Sequence, residues 1–370
     1  MEISVIVPCY NSMPILEELV ELSIEEFRKM NIQTYEFVLV NDCSPKKETI
    51  LFLKKIADRF DCVKVVDLAK NTGQANAQVA ALNHTTGDII INMDDDMQTH
   101  PKNIPILYNK LMEGGYDLVL GKYFQKKHSF YRRVLTAADD RFEETFLRKP
   151  KGMSFTSFWI TRRYIVDEII KYENPYSFME GLFLRTAGNI ANVGIEHFDR
   201  SEGRSGYNIF KLIKLWSNFT GFTVLPLRIA DGIGALAAFI GVIYAIKTFI
   251  SKLLNPDMVA GYASMICLLL VFFGITLICI GMVGEYVGRT FMSVNHTPQY
   301  VVKNVYTSRG TMTEGAAMAE IEAEKAKAAG IRAGASAENA DSEAALQQTI
   351  TDLQKMLADL QASVQELQNR

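Results

Sequence analysis

Residues 258–284 form an uninterrupted run of 27 residues without a charged side chain. A helix needs about 20 apolar residues to cross the hydrocarbon core of a bilayer, so this run predicts a membrane span. A second uncharged stretch at 232–246 is followed by Lys247, whose long side chain can reach the interface, and predicts another span over about 227–250. We therefore predict a transmembrane hairpin over 226–290. The alternative is a helix buried in the core of a soluble protein.

Basic residues flank the predicted hairpin and indicate its orientation. They are Lys211, Lys214, Arg228, Arg289, Lys303 and Arg309, whereas Lys252 lies in the short connection between the spans. Because cytoplasmic flanks are enriched in Lys and Arg, we expect both ends of the hairpin in the cytoplasm. The preceding segment 207–225 interleaves lysines with large apolar residues, which predicts an amphipathic helix in the membrane interface.

The first part of the chain, residues 1–206, has the pattern of a soluble α/β domain. Strand-like apolar runs such as 3–10 and 35–42 alternate with segments of helical spacing such as 14–30. This alternation predicts βαβ crossovers and a mainly parallel sheet. The start, MEISVIVPCYN, lacks a signal-peptide pattern. The net charge of −3 gives no reason to expect nucleic-acid binding, and the five scattered cysteines suggest reduced thiols.

Polar residues follow three of the predicted strands, namely Asn11, Asp42 and the triplet Asp94–Asp96. Ligands of open α/β sheets gather at the carboxyl ends of the strands, so we expect these residues to share one rim. Carboxylate oxygens suit Mg²⁺ or Mn²⁺, and a diphosphate can complete the coordination of such a metal. The alternative is an acidic loop that caps the helix beginning at residue 101.

The segments SVIVPCYN, VLVNDCSPK and NMDDDMQ, in this order, resemble the motifs of the GT-A glycosyltransferases of family 2. With LPLRIADGIG, GYASMICLLL and GEYVGRTF, the chain resembles more narrowly the dolichol-phosphate-mannose synthase and bactoprenol glucosyltransferase branch, over roughly residues 1–305. The resemblance implies a polyprenyl-phosphate glycosyltransferase, multi-pass in the bacterial inner (cytoplasmic) membrane, with a cytoplasmic catalytic domain. It implies inverting, metal-dependent transfer of a hexosyl group from a nucleotide sugar, expected to be a UDP-hexose, to polyprenyl phosphate, expected to be undecaprenyl phosphate. The product would serve cell-envelope glycan modification.

The resemblance also implies roles for individual residues. Asp94 and Asp96 would be catalytic by binding Mg²⁺ or Mn²⁺ and the diphosphate, with Gln98 as a further metal ligand. Asp95 occupies the variable middle position beside the nucleotide sugar, and we expect it to matter least of the three. The residues expected to hold the nucleobase and ribose are Pro8, Tyr10, Asn11 and Asp42.

Two basic stretches, 122–133 and 198–208, are expected to bind the lipid phosphate, as arginines there do in relatives. The residues concerned are Lys122, Arg132, Arg133, Arg200 and Arg204, and Arg132 and Arg133 are also expected to be catalytic. The alternative is a basic surface that faces anionic lipid head groups.

Three positions depart from the family pattern. Ser12 stands where many relatives have Glu, Gln74 where many have Lys, and Ser157 or a neighbour where bacterial glucosyltransferases have an Asp that is a candidate base or metal ligand. A phosphate monoester has a second pKa of about 6 and is largely a dianion at pH 7, so it needs no general base. The missing acid therefore favours a phosphate acceptor.

The end of the chain is predicted to form a return segment at 291–310, a linker at 311–345 and a coiled coil at 346–370. Its heptad seam consists of Leu346, Ile350, Leu353, Leu357, Leu360, Val364 and Leu367. The β-branched residues at the a positions favour a parallel dimer, so a homo-oligomer is expected; the alternative is a helix that folds back on its own domain.

Two other functions stay open from the sequence. The acceptor could be a glycan or a glycerolipid, and the enzyme would then need a general base. The chain could also be a non-catalytic scaffold for a flippase or ligase.

Overall fold

The computed structural model describes residues 2–12, 15–123, 144, 149–196, 225–254 and 262–327. Several predictions from the sequence lie outside these residues. They concern the lipid-phosphate residues Arg132, Arg133, Arg200 and Arg204, the interfacial helix over 207–225 apart from its last residue, and the coiled coil at 346–370.

Four buried parallel strands form the centre of the sheet, in the order β4-β1-β2-β3. They are β1 (Ile3–Cys9), β2 (Tyr35–Asn41), β3 (Val63–Leu68) and β4 (Ile89–Asn92). Their Val- and Ile-rich sequences suit strands that are covered on both faces. The helices of this part are α1 (Ile15–Lys29), α2 (Lys47–Arg59), α3 (Gln74–Asn83) and α4 (Ile104–Glu113). The predicted α/β fold with parallel crossovers is confirmed for this centre.

One flank of the sheet mixes strand directions. β6 pairs antiparallel with both β4 and β5, and β7 then pairs parallel with β5. The elements of this flank are β5 (Leu118–Tyr123), β6 (Trp159–Arg162), α5 (Arg163–Ile169), α6 (Met179–Thr186) and β7 (Ile190–Ile195). An edge-on contact between the Trp159 and Phe183 rings, with centroids 4.8 Å apart, packs α6 against β6. Periodicity predicted β5 but not the antiparallel insertion of β6.

The other flank is completed by chain that follows the apolar region. β8 (Val302–Thr307) pairs antiparallel with β3, and β9 (Gly310–Met312) pairs with β8. A helix over 314–327 buries Ala317 and Ile321. The return segment predicted for 291–310 and the linker predicted for 311–345 therefore contain strands and a helix as far as residue 327. Pairing explains the difference, because β8 covers the hydrogen-bonding edge that β3 would otherwise leave open.

Two long helices, α7 (Leu225–Leu254) and α8 (Tyr262–Val294), contact one another. Large apolar side chains on both are mostly exposed, with Phe239 65% and Phe291 66% accessible. Such surfaces are unusual in a soluble protein. Among the described residues, one stretch, Phe272–Val294, is a helix long and apolar enough to cross a membrane. It overlaps the second predicted span but ends ten residues later.

Candidate active site

A cavity of about 620 Å³ lies at the carboxyl ends of β1, β2 and β4. It collects most of the residues that the sequence singled out from three separate motifs. Its lining comprises Pro8, Cys9, Tyr10, Asp42, Asn71, Gly73, Gln74, Ala77, Asp94, Asp95, Asp96, Gln98 and Ser157. The chain therefore builds one acidic cavity from strand ends as distant in sequence as Cys9 and Asn92.

Asp42, at the end of β2, organises the start of helix α3. Its carboxylate accepts hydrogen bonds from the Thr72 and Gly73 amides at 2.7 and 2.9 Å, and from Thr72 Oγ1 at 3.1 Å. The side chain is buried, with the residue 4% exposed. Gly73 has φ +84°, which favours glycine at this turn. Asp42 was expected to hold a nucleoside, and the structure gives it this second role, which sequence spacing did not indicate.

Asp94 is held from both sides by neutral donors. Gln74 Nε2, at the start of α3, donates to Asp94 Oδ1 at 3.1 Å, and Ser157 Oγ donates to Asp94 Oδ2. Ser157 is itself fixed because its carbonyl accepts a bond from Asn92 Nδ2 on β4. Two departures from the family pattern, Gln74 and Ser157, thus meet at the same aspartate.

Asp95 ties the end of β4 to the end of β1. Its Oδ2 accepts a hydrogen bond from the Tyr10 amide at 3.2 Å and another from Ser12 Oγ. Burial raises the pKa of the Asp95 carboxyl above its ordinary value, while the Ser12 and Tyr10 bonds oppose that rise. The expectation that Asp95 matters least of the three stays a prediction; its carboxylate connects the residues after β4 with Tyr10 and Ser12 after β1.

Asp96 and Gln98 occupy a tight turn after β4. The backbone amide of Gln98 donates to Asp96 Oδ1 at 3.1 Å, and Met97 between them has φ +60°. Within the described residues, no group of three or more His, Cys, Asp or Glu side chains is arranged to hold a metal by itself. Magnesium sites at phosphates commonly use one or two carboxylates plus phosphate oxygens and water. The carboxylates of Asp94 and Asp96 and the side-chain oxygen of Gln98 fit a metal of that kind.

Two predicted site residues lie elsewhere. Asn11, in the left-handed region at φ +55°, does not line the cavity. Its backbone amide donates to Ser44 Oγ at 2.9 Å. Lys122, on β5, donates from Nζ to the Gly152 carbonyl at 3.2 Å and does not line it either.

A second cavity of about 320 Å³ adjoins the first, and Gln74 and Ser157 line both. Its other lining residues are Ala75, Gln78, Phe155, Thr156, Trp159, Ser177, Phe178, Met179, Glu180 and Phe183. Lys149 Nζ lies 3.8 Å from Glu180 Oε1 in its wall. No sequence motif indicated this second cavity, because its lining comes from several separate segments: α3, the chain before β6, β6 itself, and α6 with the residues just before it.

The parallel sheet and the aspartate cluster at its carboxyl rim place this domain among the α/β proteins that bind ligands at the carboxyl ends of their strands. Residues 4–170 match the family model described as glycosyl transferase family 2, and residues 225–290 match the model described as GtrB C-terminal hairpin. Residues 4–170 are therefore a family 2 glycosyltransferase domain, and the chain is an enzyme.

Curated relatives match over most of their length. The undecaprenyl-phosphate 4-deoxy-4-formamido-L-arabinose transferase of Photorhabdus laumondii subsp. laumondii is 28% identical, over 82% of this chain and 94% of the relative. That of Serratia proteamaculans is also 28% identical, with the same coverage. Among solved structures, glucosyl-3-phosphoglycerate synthase from Mycobacterium tuberculosis with Mn²⁺, UDP and phosphoglyceric acid aligns at 17% identity and a TM-score of 0.41, covering 59% of this chain and 76% of that one.

Proposed function

We propose that this enzyme transfers a glycosyl group from a nucleotide sugar to a polyprenyl phosphate at a membrane surface. The observation that carries the proposal is the Asp94–Asp96 cluster, which opens into the 620 Å³ cavity of a domain continuous with a helix apolar enough to span a membrane. The names of the relatives, which are undecaprenyl-phosphate transferases, support the same acceptor class. We further propose undecaprenyl phosphate as the lipid, the cytoplasmic face of the bacterial inner membrane as the location, and cell-envelope glycan modification as the purpose.

The reaction joins a phosphate oxygen of the acceptor to the anomeric carbon of the sugar. The bond from that carbon to the diphosphate breaks, and the nucleoside diphosphate leaves with the electron pair. Attack from the side opposite the leaving group inverts the configuration. The acceptor phosphate is largely a dianion at pH 7, with a second pKa of about 6, so no side chain has to remove a proton. This suits a cavity in which Ser157, a neutral donor, lies against Asp94.

The chain's own residues have separate tasks in this proposal. Asp94, Asp96 and Gln98 would hold Mg²⁺ or Mn²⁺, which when bound neutralises charge on the leaving diphosphate. Pro8, Tyr10, Asn11, Asp42 and Asp95 are proposed for the nucleotide sugar. Lys122, Arg132, Arg133, Arg200 and Arg204 are proposed for the lipid phosphate, with Arg132 and Arg133 also acting on the reacting phosphate.

The membrane part of the proposal concerns α7 and α8. We propose that they form a transmembrane hairpin with both ends in the cytoplasm, and that segment 207–225 lies in the interface beside the active site. The exposed apolar surfaces of both helices and the match to the GtrB C-terminal hairpin model support this arrangement. The heptads at 346–370 would join two copies, which the mass of the detergent-solubilised protein would test.

The full-length protein in detergent should convert undecaprenyl phosphate into a labelled lipid when given one radiolabelled nucleotide sugar and Mg²⁺ or Mn²⁺. The screen should contain UDP-hexoses, the predicted donors, and UDP-4-deoxy-4-formamido-L-arabinose, because the relatives' names specify that modified pentose. Lipid extraction measures the product. Transfer only to a glycan or diacylglycerol, with a pH–rate profile governed by a carboxylate, would contradict the phosphate acceptor. Failure to bind any nucleotide sugar in the presence of Mn²⁺ would favour the alternative that the chain is a non-catalytic scaffold for a flippase or ligase.

Asp95→Ala should raise the KM for the donor roughly tenfold and change kcat little, because the Tyr10 backbone amide and the Ser12 hydroxyl lose the acceptor that they share. Asp95→Asn keeps a carbonyl oxygen and should stay close to wild type. Steady-state rates at varied donor concentration measure both variants. Equal losses in the two would show that the charge of Asp95, rather than its hydrogen bonds, is required.

A further inference from the structure

The chain between α5 and α6, residues 170–178, forms part of the second cavity. We call it the connector loop. Its last residues, Ser177 and Phe178, line that cavity. On the other side, Asn76 Nδ2 of helix α3 donates to the Pro175 carbonyl at 2.9 Å. The loop is therefore tied to the same helix that supplies Gln74 to the boundary between the two cavities.

Gln299, five residues beyond the end of α8, forms hydrogen bonds with the connector loop. Its Nε2 lies 2.8 Å from the Asn174 carbonyl, 3.3 Å from Ser177 Oγ and within hydrogen-bond distance of the Tyr172 carbonyl. These three acceptors span six residues of the loop. The side-chain amide of Gln299 thus contacts three points of the segment that supplies Ser177 and Phe178 to the cavity lining.

The last turns of α8 make a second contact with the loop. The Arg289 guanidinium lies 4.6 Å from the centre of the Tyr176 ring, and Met292 Sδ lies 3.8 Å from Tyr176 Oη. Arg289 is only 8% exposed, and Glu285 accepts a bond from its Nε at 2.8 Å. A cation over an aromatic face is attractive, more so when it is shielded from water. The end of this helix is therefore packed against the globular domain.

We propose that Arg289 and Gln299 are positioning residues that shape the second cavity for the lipid-borne acceptor. The inference rests on the proposed function and assigns part of it to the end of α8. The wall formed by Ser177 and Phe178 would take its shape from the helix that anchors the enzyme in the bilayer. Acceptor binding would then depend on residues that touch neither the donor nor the aspartates.

The chemistry indicates which substrate meets this wall. In-line attack requires the acceptor to approach the anomeric carbon from the side opposite the diphosphate. The diphosphate belongs at Asp94 and Asp96 in the first cavity, so the acceptor approaches from beyond the boundary that Gln74 and Ser157 form. The second cavity shares that boundary with the first, and its aromatic residues suit the sugar face and the first isoprene unit better than a charged nucleotide.

The test compares substrates in Gln299→Ala. The KM for undecaprenyl phosphate should rise roughly tenfold, as expected for the loss of one or two hydrogen bonds. The KM for the donor should stay within about twofold of wild type, as should kcat at saturating acceptor. Gln299→Glu, which keeps the length but loses the donor group, should share the defect. Amide hydrogen exchange should accelerate in residues 170–178 of both variants and stay unchanged in β1 and β4.

Matched variants complete the design. Val301→Ala, a half-exposed neighbour, should leave every parameter unchanged. Arg289→Ala should repeat the acceptor defect, whereas Tyr176→Phe, which keeps the ring, should be mild. The defect should persist with a short-chain polyprenyl phosphate in detergent, because it does not arise from membrane insertion.

The outcomes separate the two proposals. An inactive wild type overturns the proposed function and this inference with it. An active wild type, combined with an unchanged acceptor KM in Gln299→Ala or with equal increases for donor and acceptor, overturns only the role of Gln299.

Discussion

Asp96→Ala should lower the rate of glycosyl transfer by at least about a thousandfold, because the leaving diphosphate loses the carboxylate proposed to hold its neutralising metal. Asp96 is half-buried in the turn after β4, outside the sheet, where its carboxylate accepts a hydrogen bond from the Gln98 backbone amide, so the fold should survive. The measurements are the rate of labelled-lipid formation and the midpoint of thermal unfolding. Direct titration with Mn²⁺ in the presence of UDP should show weaker metal binding in the variant.

Asp58→Ala is the matched control, because Asp58 is an exposed aspartate on α2, away from the cavity. It should leave transfer, unfolding and Mn²⁺ binding unchanged. Removing divalent metal from the wild type with a chelator should reproduce the loss, and added Mg²⁺ or Mn²⁺ should restore the rate. Near-normal turnover by Asp96→Ala would exclude its metal role.

Asp42→Ala should destabilise the domain by about 3 kcal/mol and also abolish measurable donor binding. The stability loss follows because the Thr72 and Gly73 amides lose their acceptor at a buried position, and an unsatisfied buried donor costs about 1–3 kcal/mol. The loss of donor binding follows because α3 then starts in a different place and Gln74 leaves Asp94. Denaturant unfolding and UDP titration measure the two effects.

Asp42→Asn separates these effects. The asparagine keeps one side-chain oxygen as an acceptor, so the stability loss should be roughly halved. Its NH2 group replaces the other oxygen and cannot accept a hydrogen bond from a backbone amide. Unchanged stability in Asp42→Ala would mean that the Thr72–Gly73 turn forms without the carboxylate, and donor binding would then report the nucleoside contact alone.

The centre of the fold could be predicted because its signals are local. Short runs rich in Val, Ile and Leu in β1 through β4 predict buried strands, and parallel crossovers place their carboxyl ends on one rim. The rim position of Asp42 and Asp94–Asp96 follows from that rule.

Other features depend on long-range pairing or on the direction of single side chains. β8 pairs with β3 although more than 230 residues separate the two strands in sequence, and no local pattern specifies such a partner. Asn11 has φ +55° and does not line the cavity, although Tyr10 beside it does, and no local sequence pattern distinguishes the two positions. The family pattern marked Ser157 as the place of a missing acid, but only the geometry reveals that its hydroxyl is bound to Asp94.

The pairing of β8 with β3 has a consequence for how the enzyme is made. The globular domain is discontinuous in sequence, with the two long helices inserted between β7 and β8. On the ribosome, the sheet must wait for its edge strand until both helices have been synthesised. Cutting the chain before residue 225 to obtain a soluble enzyme would therefore remove the strands β8 and β9, the 314–327 helix and Gln299, and would leave the edge of β3 free to pair with other chains.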